Sequence, residues 1–233
     1  MLASSQPVWP PSGDRPLASS GPRPYNYDRS VGMVSGSDAA LSLKEASVLS
    51  GAPEKSIRHE LATRVVRSSR AGGRRRFSPR EVVYFFLVNE LPPGLELDRG
   101  LRKELFELLA ADKERSGRWR REAHRLVLEG DVPVVVPTED LVKRVDERIR
   151  TFLRGRSRAV SRAEVLGGEP VFEGTRISVR FVGERAKREP VEALLEDYPA
   201  LSAEDVEFAR MFVALGRRPG RPRKKPRFVR GDE

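Results

Sequence analysis

The stretch LSLKEASVLSGAPEKSIRHELATRVVRSSRAGGRRRFSPREVVYFF, residues 41–86, decides the fold. Ser42 followed by Glu45 has the spacing of a capping box, and Leu43, Ala46 and Leu49 recur on one helical face, so a short helix begins here. Ser50 and Gly51 break it, and Pro53 suits the opening of a second helix that turns Ile57 and Leu61 inward. That second helix leaves Lys55, Ser56, Arg58, His59 and Ala62 facing solvent, as a helix entering a major groove does. RVVRSSRAGGRRRF then reads as a strand, a Gly-Gly turn and a second strand, and Ser78-Pro79 opens a further helix, EVVYFFLVNEL. The spacing predicts a helix-turn-helix followed by a wing. Lys55, Ser56, Arg58 and His59 on the recognition helix, Arg64 after it, and Arg67, Arg70, Arg74, Arg75 and Arg76 on the wing are the candidate DNA contacts.

Charge supports a polyanionic partner. The 233 residues carry 44 basic and 34 acidic side chains, and the excess is concentrated. Residues 41–80 hold 10 basic and 3 acidic groups, residues 216–233 hold 8 and 2, and residues 81–215 hold 23 and 26. Affinity for phosphate grows with each cation that displaces a counterion, so clustering of this kind matters more than the total. The chain has no cysteine, which excludes disulfides and thiolate metal sites, and its two histidines, His59 and His124, are too few and too far apart to suggest a metal cluster. Neither a metal nor any other cofactor is expected. No apolar run approaches the roughly 20 residues of a membrane span, so a cytoplasmic protein without membrane contact is expected. Residues 1–24 contain 13 Ser, Pro or Gly, a composition that does not repay the entropy of ordering.

Between Pro92 and Gly155 the sequence reads helix (LRKELFELLAAD), helix (RWRREAHRLVLEG), strand (VPVVVP) and helix (TEDLVKRVDERIRTFLRG). The last has Thr138 as its expected N-cap, Val145, Ile149 and Phe152 at helical spacing, and Gly155 as its expected stop. Glu139, Asp140, Asp146 and Glu147 interleave with Lys143, Arg144 and Arg148 as on an exposed helix face, so no catalytic carboxylate pair is read there. The strand over residues 132–136 fits either a core position or pairing with a second copy.

Two resemblances follow from these residues. The order of helix, turn, helix, wing and RFSP-like helix start resembles the MerR-type winged helix family over about 50 residues. Residues 158–215 resemble the trihelical C-terminal domain of VapB-type antitoxins, formerly a domain of unknown function. The shared core is Gly167, Gly168, Pro170, Phe172, Gly174, Thr175, Arg176, Ile177 and Val179, joined by the Leu-Glu-Asp-Tyr-Pro-x-Leu element at Leu195 to Leu201. In this region Thr175 is the expected cap of a helix near Val179, Pro190 the expected start of another, and Ser202 with Asp205 a capping box. Phe181, Leu194, Leu195, Tyr198, Leu201, Val206, Phe208 and Phe212 are its expected core. Arg188-Glu189 departs from the family's usual glycine turn. The Gly-rich run lacks the lysine and hydroxyl of a phosphate loop.

The resulting expectation is a mainly α protein, with an N-terminal winged helix-turn-helix domain, a small C-terminal three-helix domain and disordered termini. Its divisions are a disordered segment (1–38), the winged helix-turn-helix (39–115), connecting elements with a possible dimerisation role (116–157), the trihelical domain (158–215) and a basic tail (216–233). The resemblance implies a non-enzymatic antitoxin, a homodimer or larger toxin-antitoxin complex, that represses its own operon on double-stranded DNA. It would also neutralise a PIN-domain (VapC-type) ribonuclease toxin. In the tail, Arg217, Arg218, Arg221, Arg223, Lys224, Lys225, Arg227 and Phe228 are candidate toxin contacts, while Gly220-Arg221-Pro222 resembles an AT-hook for a narrow minor groove. The alternative is a stand-alone winged-helix transcription regulator.

Overall fold

A computed structural model describes residues 40–92 and 94–216; the segment expected to be disordered (1–38) and the tail contacts from Arg217 onward lie outside the described residues. About half of the described chain is helical, with eight α-helices and three small antiparallel sheets. No described helix is long and apolar enough to cross a membrane.

The first helix, α1 (Leu43–Ser50), begins at the expected capping box: Ser42 Oγ accepts from the Glu45 N–H (3.3 Å), and Glu45 Oε2 accepts from the Ser42 N–H (2.6 Å). Gly51 ends it in the left-handed region (φ 72°), which glycine enters without steric penalty. Next comes α2 (Glu54–Ala62), with Ile57 fully buried beneath it. Strands β1 (Ser69–Ala71) and β2 (Arg74–Arg76) form the expected hairpin around Gly72-Gly73, both at positive φ as a type I′ turn requires. Just past β2, Phe77 exchanges two backbone hydrogen bonds with Leu41 (2.9 and 2.8 Å), tying the hairpin to the entrance of α1. Helix α3 (Pro79–Asn89) buries every residue from Val82 to Leu87, so it is the central helix of this half. Helix α4 (Arg99–Ala110), capped by Asp98, lies against it.

Residues 118–130 depart from the expected helix. The chain forms β3 (Arg115–Ser116), β4 (Trp119–Glu122) and β5 (Arg125–Leu128), and with β6 (Val134–Pro137) these make a four-stranded meander in the order β3-β4-β5-β6. The Arg, Glu, Ala and Leu residues of this segment favour helices intrinsically, but tertiary pairing overrides so weak a preference. Trp119 is fully buried and donates Nε1–H to the Leu101 carbonyl (2.9 Å), which a helix over the same residues would have to forgo. The valine strand belongs to this sheet, as its edge. The Thr138 N–H to His124 carbonyl bond sets the phase of the ladder, so Val134 and Val136 face β5, while Pro133, Val135 and Pro137 face outward. Two of those three outward positions lack an N–H, which blunts the edge as a template for a further strand.

Helix α5 (Glu139–Arg158) joins the two halves. Thr138 precedes it but makes no side-chain cap, and Gly155 does not stop it. Gly155 lies instead under Phe208, where a Cβ would come within 2.0 Å of the ring's Cγ. Asp146, expected on the exposed face, is buried. Val145, Ile149 and Phe152 are buried along one stripe, which packs on α1 and α3 toward one end and on a C-terminal helix toward the other.

Beyond α5, β7 (Ala159–Val160) pairs with β8 (Val171–Phe172), and three helices follow: α6 (Val179–Arg185), α7 (Val191–Asp197) and α8 (Ala203–Ala214). Ser178, not Thr175, caps α6 by accepting from the Phe181 N–H. The Thr175 hydroxyl is occupied in the preceding turn, donating to the Phe172 carbonyl and accepting from the Ile177 N–H. Pro190 and the Ser202–Asp205 capping box start α7 and α8 as expected. Leu194, Leu201, Val206 and Phe208 are buried in this unit, but Phe181 is 50% exposed and is not core. The buried apolar set is continuous from Leu41 to Met211, so the two halves share one core through α5.

Candidate nucleic-acid interface

Helix α2 divides cleanly. Lys55, Ser56, Arg58, His59 and Ala62 are exposed, whereas Ile57 and Glu60 are buried. Only Arg58 of these outer residues is engaged along the helix, by Glu54 one turn earlier (3.0 Å).

Glu60 is the residue that the sequence pattern missed. It stands three positions after Ile57, on the face turned to the core, and so carries a charge where an apolar residue is expected. Its Oε2 accepts from the Tyr84 hydroxyl of α3 (3.1 Å), and its Oε1 takes an ion pair from Arg102 of α4 (2.8 Å). Burial, and secondarily the neighbouring Glu60 charge, holds the Tyr84 phenol well above its ordinary pKa. A buried charge is tolerated when paired and hydrogen-bonded, and this one anchors α2 to both supporting helices at a fixed rotation.

Past α2 the chain turns through a Schellman arrangement. The Val65 N–H reaches the Glu60 carbonyl (3.0 Å), and the Arg64 N–H reaches the Leu61 carbonyl (3.2 Å). Arg64 occupies the left-handed position of this motif at φ 58°, where glycine is the usual residue. Its side chain is exposed.

On the hairpin, Arg70 is directly opposite Arg75, while Arg74 and Arg76 share the other face with Ser69 and Ala71. Like charges placed opposite each other across a ladder repel, so this pairing weakens the hairpin taken alone. Arg75 reaches the Ser68 hydroxyl (3.2 Å), but among the described residues no carboxylate lies within ion-pairing distance of Arg64, Arg67, Arg70, Arg74, Arg75 or Arg76. All ten residues expected to contact DNA are therefore on the surface, nine of them exposed and Arg76 half-buried. The arrangement combines a polar helix face, rigidly held, with a cluster of guanidinium groups free to take phosphate oxygens.

The comparisons with known proteins bear on the other half. Residues 160–213 match the family described as "Protein of unknown function (DUF433)". The match runs from β7 to the end of α8 and does not include α1, α2 or the hairpin. No curated protein and no solved structure matches the chain.

Proposed function

We propose that this chain is a winged helix-turn-helix DNA-binding regulator that serves as the antitoxin of a type II toxin-antitoxin pair. In this reading α2 is the recognition helix and the β1–β2 hairpin the wing. The protein acts in the cytoplasm as a dimer or larger complex, on paired half-sites in its own operator. The observation that carries the reading is the set of six arginines at and beyond the end of α2 that meet no carboxylate among the described residues, with Arg70 and Arg75 set opposite each other. Unpaired clustered guanidinium groups gain most when they meet a polyanion, because each contact releases condensed counterions.

The antitoxin half of the proposal is supported by the resemblance of residues 158–215 to VapB-type antitoxins. It assigns the basic tail, with Phe228 as an apolar anchor, to the acidic active site of a PIN-domain ribonuclease. Binding to DNA from upstream of the gene, followed by fluorescence anisotropy across a salt series, tests the regulator. A steep fall of affinity with salt, together with preference over unrelated duplex, is the expected result, and equal weak binding to all duplexes sinks it. For the toxin, the full-length chain and a truncation after Leu215 are co-purified with the product of the adjacent gene and ribonuclease activity is measured. Silencing by the full-length chain alone is expected; absence of a bound partner removes the toxin and leaves the regulator standing.

A further inference from the structure

A groove of about 650 Å3 runs between the entrance of α1 and the C-terminal unit, beside α5, α6 and α8. Phe152, Phe208, Phe212 and Leu215 supply its apolar lining, and Lys44, Arg156 and Arg180 its cations. Both ends of the described chain border it. Ser42, two residues after Ala40 where the described residues begin, is on one side, and Gly216, where they end, is on the other. Lys44 of α1 spans the two by donating to the Leu215 carbonyl (3.5 Å).

The three cations are not equivalent. Arg156 meets Glu45 (3.5 Å), and Arg180 lies over the Phe212 ring with Glu169 at 3.8 Å. Lys44 meets no carboxylate among the described residues, since its hydrogen bond goes to a neutral carbonyl. An apolar stretch carrying one carboxylate therefore complements the groove. The chain beyond each border decides between the two neighbours. Residues 216–233 hold 8 basic and 2 acidic groups, which an unpaired lysine repels. Residues 34–39 read Val-Ser-Gly-Ser-Asp-Ala, with small side chains, one carboxylate at Asp38, no cation, and Val34 as an apolar end. Six extended residues ahead of Ala40 reach at most about 20 Å. A segment tethered so closely acts at an effective concentration of roughly millimolar, so modest contacts suffice to seat it.

We propose that residues 34–39 seat in this groove as a strap, with Asp38 on Lys44 and Val34 against Phe212 and Leu215. The chain ahead of α1 is thereby fastened to the C-terminal unit. The inference is independent of the DNA-binding reading. Its test is amide hydrogen exchange of the full-length chain, read by mass spectrometry. A peptide spanning residues 33–40 is expected to exchange at least about tenfold more slowly than one spanning residues 11–24 of the same molecules, because seated amides exchange only on local opening. Lys44→Glu and Asp38→Lys are each expected to abolish the difference, and the two together, which restore opposite charges with the signs exchanged, to recover it. Equal exchange of the two peptides overturns the strap, as does protection that survives both single variants. Protection found in residues 217–233 instead gives the groove to the tail, and protection of residues 34–39 that grows with protein concentration gives it to a second copy; either result overturns the assignment. Should Lys44→Glu fail to fold, Asp38→Lys decides alone, and protection retained in that variant refutes the proposal.

Discussion

Six arginines in the first half of the molecule and six in the second are put to opposite uses. Arg64, Arg67, Arg70, Arg74, Arg75 and Arg76 meet no carboxylate among the described residues, whereas Arg154, Arg156, Arg158, Arg180, Arg185 and Arg210 each do. Arg185 alone holds Glu189, Asp197 and the Tyr198 hydroxyl, and these hydrogen bonds hold its guanidinium pKa above the usual arginine value. Composition does not separate the two sets; pairing does. The second set organises the C-terminal unit and its junction with α1, where Arg156 meets Glu45. The first set forms no ion pair among the described residues, and the proposed polyanionic partner would account for its concentration at one place.

The comparison breaks most directly at the hairpin. Replacing Arg70, Arg74, Arg75 and Arg76 together by Ala is expected to weaken duplex binding by about 10²–10³-fold at low salt, and to lower the slope of log K against log salt by about four. Stability should change by under about 0.5 kcal/mol, since surface residues without a carboxylate partner among the described residues are being removed. Anisotropy over a salt series and a urea melt read the two quantities on the same protein. An unchanged salt slope ends the nucleic-acid reading of this cluster.

The opposite behaviour is expected where a charge is buried. Glu60→Ala leaves the Tyr84 hydroxyl and the Arg102 guanidinium without their shared acceptor and is expected to cost about 2–3 kcal/mol. Because Arg102 retains 21% side-chain exposure, the loss stays below that of a fully enclosed pair. Equilibrium urea unfolding measures it, and a cost under half a kilocalorie means the triad does not hold α2. On the C-terminal side, Arg158→Ala removes the cation from Asp205, which is 3% exposed. Asp205 keeps its bonds from the Ser202 N–H and hydroxyl, so the expected cost is smaller, about 1–2 kcal/mol, with duplex affinity unchanged. A fall in duplex affinity without a stability loss reverses the proposed division of roles.

Where local chemistry and tertiary packing agree, the sequence is readable. Ser42–Glu45, Ser202–Asp205, Gly51 and Gly72-Gly73 all act as their spacing predicts, because caps and turns are settled within a few residues. Legibility fails where a distant partner decides. Residues 118–130 have a helix-forming composition, yet the pairing of Val127 with Val135 and the burial of Trp119 against α4 make them strands. Gly155 looks like a stop and is instead the clearance for Phe208, some fifty residues later. The candidate interface was legible because its residues are exposed and contiguous in sequence. Its support was not, since Glu60, Tyr84 and Arg102 come from three helices.

The smallest expected effect isolates a single cation. Arg64 fills the left-handed position of the Schellman turn, where a Cβ is unfavourable and glycine is preferred. Arg64→Gly relieves that strain, offset in part by the greater freedom of glycine in the unfolded chain, so a net gain under about 1 kcal/mol is expected. If Arg64 contacts phosphate, the same variant loses about one unit of salt slope, and affinity falls although the fold becomes more stable. That opposition is the signature of strain retained for function. A gain in stability with unchanged binding instead makes Arg64 an ordinary surface residue in a poor conformation, and confines the contact surface to the wing and the outer face of α2.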